Sequence, residues 1–202
     1  MKRKRLIIGL TGGMGAGKTT VAKMFEDLGI PVYYADNRAK DLMQEDPDLI
    51  QAITGLFGEK AYEEGRLNTR YLGGMVFADE KKLKELESLV HPVVREDFKK
   101  WVRQQKAPYV IVENAILHKS GMDKLVDLVI FVKTNDSNKI ERVRKRDGLK
   151  EEAIKQRLKN QSNDVFLLKK SDFVIENNST IGDLKEKIAE IDRNVKFMLK
   201  KR

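Results

Sequence analysis

The chain has no cysteine. That excludes a disulfide scaffold and every thiolate metal site, and it fits a reducing compartment. Its only histidines are His91 and His118, and two histidines without cysteine do not make a structural zinc site. No run approaches the ~18 apolar residues of a membrane span. The basic start, Met1-Lys2-Arg3-Lys4-Arg5, leads into a short apolar stretch that ends at Thr11-Gly12, which does not read as a secretory signal. A cytoplasmic protein is expected. Repeats and low-complexity linkers are absent too, and 202 residues suffice for one large domain with its own core.

What is present is concentrated in one octet, Gly12-Gly13-Met14-Gly15-Ala16-Gly17-Lys18-Thr19. It fits the phosphate-loop pattern of Gly, any four residues, then Gly-Lys-Ser/Thr. At average composition such a match arises by chance in about one chain in a hundred of this length. An apolar run, 6–10, precedes it. Thr20 and then Val21, Phe25 and Leu28 at helical spacing follow it. A loop between strand and helix lets backbone N–H groups converge on phosphate oxygens, and the helix adds its positive end. Lys18 can reach the outer phosphates of ATP, and the Thr19 hydroxyl can ligate Mg²⁺.

Net charge is +9, which invites a polyanion. Residues 133–170 hold twelve Lys/Arg against six Asp/Glu and a single aromatic, Phe166. A nucleic-acid face is expected to add aromatic or groove-reading elements. The charge therefore reads as local to a nucleotide site or as a solvated helical face, and no nucleic-acid partner is expected.

Five short apolar runs, 6–10, 32–35, 109–112, 128–132 and 173–175, alternate with helical segments. This pattern predicts an α/β fold, a five-stranded parallel sheet between two helical layers. Ligands in such sheets bind beyond the carboxyl ends of the strands. After those ends come the phosphate loop, Asp36, Glu113-Asn114, the basic segment and Glu176-Asn177-Asn178. Residues 37–105 contain no strong strand. The spacing predicts short helices over 47–57 and 68–77, a helix over 80–90 capped by Asp79, and a new helix from Pro92. So long a stretch is expected to be a helical subdomain beside the strand ends, there to hold a second substrate or simply to pack. Ser179 is expected to cap the last helix, whose Ile181, Leu184, Ile188, Ile191, Val195 and Met198 form a buried stripe. The chain thus divides into a core of 1–35, 106–133 and 171–202, an acceptor-side subdomain of 36–105, and a lid of 134–170, all within one domain.

Phosphoryl transfer needs alignment and charge neutralisation more than covalent chemistry. Asp36 is placed to orient an acceptor hydroxyl and take its proton, or to cap the helix over 37–44, and the two roles are compatible. Glu113 fits a carboxylate that holds Mg²⁺ through water, or one that merely follows an apolar run. Arg142 and Arg146 are four apart, share a helix face, and suit a lid that closes on ATP. Arg157 and Gln161 share a face on a second lid helix beyond Asp147-Gly148, a plausible hinged cover. His91-Pro92 marks a helix break beside the presumed acceptor pocket, either touching substrate or capping. Asn138-Lys139-Ile140-Glu141 falls one carboxylate short of the guanine signature, and no Asp-x-x-Gly accompanies it.

Together these segments resemble the dephospho-CoA kinase family. The residues that carry the resemblance are 9–22, Ala35-Asp36, the run 86–94 with His91-Pro92, Arg142 with Arg146-Asp147, Gln161, and 172–177. The resemblance implies transfer of the ATP γ-phosphoryl group to the ribose 3′-hydroxyl of dephospho-CoA, in a phosphate-loop kinase core with an acceptor subdomain and a lid. It implies that Asp36 is the base, that Arg142 and Arg146 are lid arginines, and that Asn177 begins the adenine-side loop. One departure stands out. Many members carry Pro-Leu-Leu-Phe-Glu after the third strand, where this chain has Ala115-Ile116-Leu117-His118-Lys119. The alternatives are another small-metabolite kinase, such as a nucleoside or shikimate kinase, and a non-catalytic ATP-binding module.

Overall fold

All five apolar runs become strands of one sheet. The computed structural model describes residues 5–159 and 164–201. The strands of the main sheet are β1 (Leu6–Gly12), β2 (Val32–Tyr34), β5 (Tyr109–Glu113), β6 (Leu128–Lys133) and β7 (Phe173–Glu176). A small hairpin, β3 (Tyr62–Glu63) and β4 (Arg66–Leu67), lies between them in sequence. The sheet order is β2-β5-β1-β6-β7. β1 pairs in parallel with β5, from Leu6↔Tyr109 to Leu10↔Glu113, and with β6, from Ile8↔Leu128 to Gly12↔Val132. β6 pairs in parallel with β7. Every residue of β5 is buried, as a strand covered on both faces must be. From β1 the chain first builds toward β2 and β5, then toward β6 and β7. The loop after β1 therefore sits where the winding changes side, the usual ligand crevice of an open α/β sheet.

α1 (Lys18–Asp27) buries Val21, Ala22, Met24 and Phe25, and α9 (Ile181–Lys201) buries Leu184, Ile188, Ile191 and Val195, whereas Ile181 and Met198, the two ends of the expected stripe, are exposed. The Tyr109 hydroxyl donates to Asp192 Oδ1 at 2.7 Å, and Lys196 pairs with the same carboxylate at 2.8 Å. Burial, reinforced by Asp192, pushes the phenol well above its ordinary value. The cap of α9 differs from expectation. Thr180, not Ser179, closes it, with Asp183 N–H donating to Thr180 Oγ1 at 3.2 Å and Thr180 N–H to Asp183 Oδ2 at 3.1 Å. Such a reciprocal pair satisfies two donors at once.

The chain divides into two compact units, Tyr34–Gln104 and the remainder. The first comprises α2 (Ala35–Glu45), α3 (Pro47–Phe57), a 3₁₀ turn (Glu59–Ala61), the hairpin, α4 (Thr69–Ala78) and α5 (Glu80–Gln104). Asp46 and Asn68 cap α3 and α4, and Asp79 accepts from Lys81 N–H at 2.8 Å at the start of α5. The hairpin is an addition to the strand-free expectation. The break at Pro92 does not occur: α5 runs unbroken through it. Proline forfeits one helical hydrogen bond, but Val90, Val94 and Phe98 carry one buried stripe across it, and tertiary packing decides helix extent. Arg38 joins α2 to α5 through both Asp97 oxygens, at 3.1 and 3.2 Å, and also bonds Glu45 at 3.0 Å. Among the described residues no helix is long and apolar enough to cross a membrane.

Candidate phosphate-binding site

β1 ends at Gly12 and α1 begins at Lys18, so the glycine-rich octet forms the turn between them. Gly15 and Gly17 both take left-handed backbone angles, φ +74° and +92°. Space forbids a side chain there as well. A Cβ on Gly15 would lie 2.8 Å from the Lys139 carbonyl oxygen, and one on Gly17 would lie 2.2 Å from Asn177 Nδ2. The loop is thus pressed against its neighbours at the positions that only glycine satisfies. Ala16 N–H closes the turn onto the Gly13 carbonyl at 3.2 Å. Lys18 Nζ donates to the carbonyls of Gly12 at 3.0 Å and Gly13 at 3.3 Å, so the ammonium is held against the loop.

The N-terminus of α1 has no side-chain cap and no acidic residue in its first turn. The positive dipole end of the helix is therefore open to an anion. Thr19 and Thr20 are exposed on this turn. Glu113 ends β5 and is buried, opposite Leu10 in register. Beside it, Asn114 is buried and bonds the Leu10 carbonyl and Ser120.

The back of the loop is tied by a junction that sequence reading did not anticipate. Three donors from three elements meet at the Ala16 carbonyl: Asn177 Nδ2 at 2.8 Å, Thr134 Oγ1 at 3.1 Å and Arg142 Nη1 at 3.4 Å. The Asn177 carbonyl is a second focus, 3.2 Å from Thr134 Oγ1 and 3.1 Å from Arg142 Nη2. Asn177 N–H in turn donates to the Lys133 carbonyl at 2.8 Å. Thr134 stands just beyond the end of β6. The signal that could have found it was already in use: a polar residue at a strand's carboxyl end.

α6 (Asp136–Asp147) begins after the Asn135 cap and stops at Gly148, whose N–H bonds the Arg144 carbonyl at 2.9 Å. The two arginines of α6 are engaged differently. Arg142 is half-buried on the loop carbonyls, whereas Arg146 is exposed and forks onto Asp147 at 2.7 and 2.8 Å. That hydrogen bond raises the Arg146 guanidinium further above its ordinary value. The Asn138–Glu141 segment lies inside α6, with Lys139 buried and Glu141 exposed. α7 (Glu151–Lys159) and α8 (Asp164–Lys169) follow. The Arg157 side chain and Gln161 lie outside the described residues. His118 Nδ1 is 3.0 Å from Asp123 Oδ2, and its ring meets Phe166 edge-on at 5.6 Å, while Lys119 is exposed.

Asp36 and His91 belong to the unit Tyr34–Gln104. Asp36 is exposed and does not cap α2. The helix starts at Ala35 with Tyr34 as its boundary residue, so Asp36 lies within the first turn. A carboxylate is favoured there by the helix dipole. His91 sits in the middle of α5, where it can cap nothing. Burial holds its imidazole below the ordinary value, with Glu87 opposing and Arg95 adding to the shift.

The family model described as dephospho-CoA kinase (CoaE) matches residues 6–183. A dephospho-CoA kinase of Porphyromonas gingivalis is 38% identical over 164 residues, covering 81% of each chain. The solved structure of TT1252 from Thermus thermophilus superposes with a TM-score of 0.83 at 30% identity, covering 94% of this chain and 97% of that one. A dephospho-CoA kinase structure from Campylobacter jejuni gives a TM-score of 0.69 at 27% identity, over 95% and 98%.

Proposed function

The chain belongs to the dephospho-CoA kinase family, and on that premise we propose that it moves the γ-phosphoryl group of ATP to the ribose 3′-hydroxyl of dephospho-CoA, giving CoA and ADP. The observation that carries the reading is the uncapped N-terminus of α1 behind a loop in which Gly12, Gly15 and Gly17 admit no side chain. Such a site takes a polyphosphate. Lys18 meets the charge that grows between the β- and γ-phosphates, in a place where a fixed cation acts without reorganising. Residues 12–20 cradle the phosphates, and Asn177 starts the loop on the adenine side. Asp36 orients the acceptor hydroxyl and accepts its proton as the bond to phosphorus forms. His91 lines the acceptor side. Arg146 exchanges Asp147 for phosphoryl oxygens when the segment 134–170 closes, and 36–105 receives the acceptor.

Mg²⁺ fits the donors at hand, since the Thr19 hydroxyl and the Glu113 carboxylate are hard oxygens and this ion prefers one or two protein oxygens beside phosphates and water. Those two residues would hold it, directly or through water, and the bound ion would neutralise phosphate charge. Among the described residues no cluster of three or more His, Cys, Asp or Glu competes for a metal. A cytoplasmic location is part of this reading, since ATP is drawn from that pool. The test is a transfer assay with ATP and Mg²⁺ in which dephospho-CoA competes against adenosine, shikimate and nucleoside monophosphates. Phosphate appearing on dephospho-CoA alone is the expected result. Preference for shikimate or a nucleoside would move the chain to another small-metabolite kinase activity, and ATP binding without transfer would make it a binding module.

A further inference from the structure

We propose that Thr134 is a positioning residue of the phosphate loop, its hydroxyl fixing the orientation of the Ala16–Gly17 peptide. The side chain is buried, with 3% exposure. Its Oγ1 lies 3.1 Å from the Ala16 carbonyl and 3.2 Å from the Asn177 carbonyl, so its single proton serves either. Asn177 Nδ2 approaches the same Ala16 oxygen at 2.8 Å and Arg142 Nη1 at 3.4 Å. One loop carbonyl is therefore held by groups from beyond β6, from α6 and from beyond β7.

The consequence follows from peptide geometry. In a planar trans peptide the C=O and the N–H point in opposite directions. Drawing the Ala16 carbonyl toward the ends of β6 and β7 turns the Gly17 N–H the other way, toward the first turn of α1. The φ of +92° at Gly17 and the 2.2 Å approach a Cβ would make to Asn177 Nδ2 show how closely this peptide is seated. Gly17 is also the residue at the N-terminal boundary of α1, where no side chain supplies a cap. A correctly turned Gly17 N–H adds one donor to the anion site. A peptide released from the junction can rotate and withdraw it. Thr134 is buried behind the loop and acts through the peptide it holds.

The test compares Thr134→Val, which keeps the shape and removes the hydroxyl, with Thr134→Ser, which keeps the hydroxyl. ADP and inorganic tripolyphosphate are the probes, each titrated against the full-length chain, with the KM of dephospho-CoA and the melting temperature read alongside. Thr134→Val is expected to weaken ADP and tripolyphosphate alike by about five- to tenfold, the size of one lost hydrogen bond in a buried site. The KM for dephospho-CoA should stay unchanged, and Thr134→Ser should recover most of the loss. Thr134→Ala serves as the second hydroxyl-free variant if valine does not fold. Wild-type affinity in the hydroxyl-free variants overturns the proposal. So does a Thr134→Ser variant as weak as the valine form, or a loss limited to ADP, which would assign the hydroxyl to the Asn177 loop. The proposal rests on the ATP reading above. Failure of the wild type to bind either probe would overturn that reading, whereas equal binding by wild type and Thr134→Val would overturn only this one.

Discussion

The loop-bearing unit and the helical unit Tyr34–Gln104 prepare their polar residues in opposite ways. In the first, Lys18, Thr134, Arg142 and Asn177 are already bound to backbone carbonyls within or beside the loop. In the second, Asp36 stands exposed on a helical turn, while Arg38 uses its guanidinium for structure, joining α2 to α5 through Asp97 and bonding Glu45 within α2. On the proposed reading, the difference separates binding from chemistry. A polyphosphate carries its charge into the site, so its cradle must be built beforehand, because a loop that reorders on binding loses affinity to conformational entropy. An acceptor hydroxyl is neutral and needs one well-placed carboxylate only as the reaction proceeds. Substitutions at the residues bound to the loop carbonyls should therefore cost both binding and turnover, and Asp36→Asn mainly turnover.

The largest effect is expected at Lys18. Lys18→Ala removes the ammonium bound to the Gly12 and Gly13 carbonyls and should lower kcat/KM by about 10³-fold or more, with ADP affinity also reduced. Steady-state kinetics and calorimetric titration check both parts. Near-normal turnover would sink the phosphate-loop assignment. Asp36→Asn tests the other side. It should lower kcat by about 10²-fold or more while the KM for ATP changes little, because the amide keeps the shape but accepts no proton. Normal kcat with a lowered melting temperature would reduce Asp36 to a helix-dipole partner of α2, and the contrast between the units would fail.

The two arginines of α6 sharpen the comparison within a single helix. Arg146 is exposed and paired with its neighbour Asp147, so Arg146→Ala should lower kcat about tenfold to a hundredfold and leave ADP affinity intact. Arg142 already supports the loop through the Ala16 and Asn177 carbonyls, so Arg142→Ala should weaken ADP as well. Lysine should rescue neither, lacking the planar fork that reaches two oxygens at once. Equal kinetic profiles for both variants would show that the carbonyl contacts of Arg142 do not matter to the loop.

Residue types and spacing made the sheet, the loop and the helical insert legible, because each rests on local rules. Glycine at positive φ, alternation of apolar strand and helix, and a polar residue after each strand are all readable one segment at a time. What escaped depends on residues distant in sequence. Thr134 matters through Ala16, 118 positions away, and no periodicity links them. The different engagement of Arg142 and Arg146 was hidden by their shared four-residue spacing, which places both on α6 but not against the same neighbours. Pro92 misled for a related reason. Its local preference to end a helix is real, but the stripe of Val90, Val94 and Phe98 against the surrounding helices overrides it. The caps at Asp46, Asn68 and Asp79 obey local chemistry, whereas at α9 the choice between Ser179 and Thr180 was settled by the position of Asp183.

The smallest effect concerns His91, and it tests whether the helical unit uses this residue for stability or for substrate. Its imidazole is held below the ordinary value of 6.5, chiefly by burial. The folded chain therefore takes up this proton less readily than the unfolded chain does. At pH above 6.5 the group is neutral in both states and costs nothing. As pH falls through 6.5 the unfolded state binds the proton first, so stability is lost until the folded pKa is passed, below which the loss is constant. Glu87 and Arg95, one turn to either side, supply the opposing and reinforcing charges. His91→Gln removes the titration while keeping a polar side chain of similar size. Its melting temperature, compared with that of the wild type, should fall less between pH 7 and pH 5, with the two slopes equal from pH 7 to pH 8. If the slopes agree over the whole range while the KM for dephospho-CoA rises, His91 acts on the acceptor, and the helical unit holds a prepared binding residue after all.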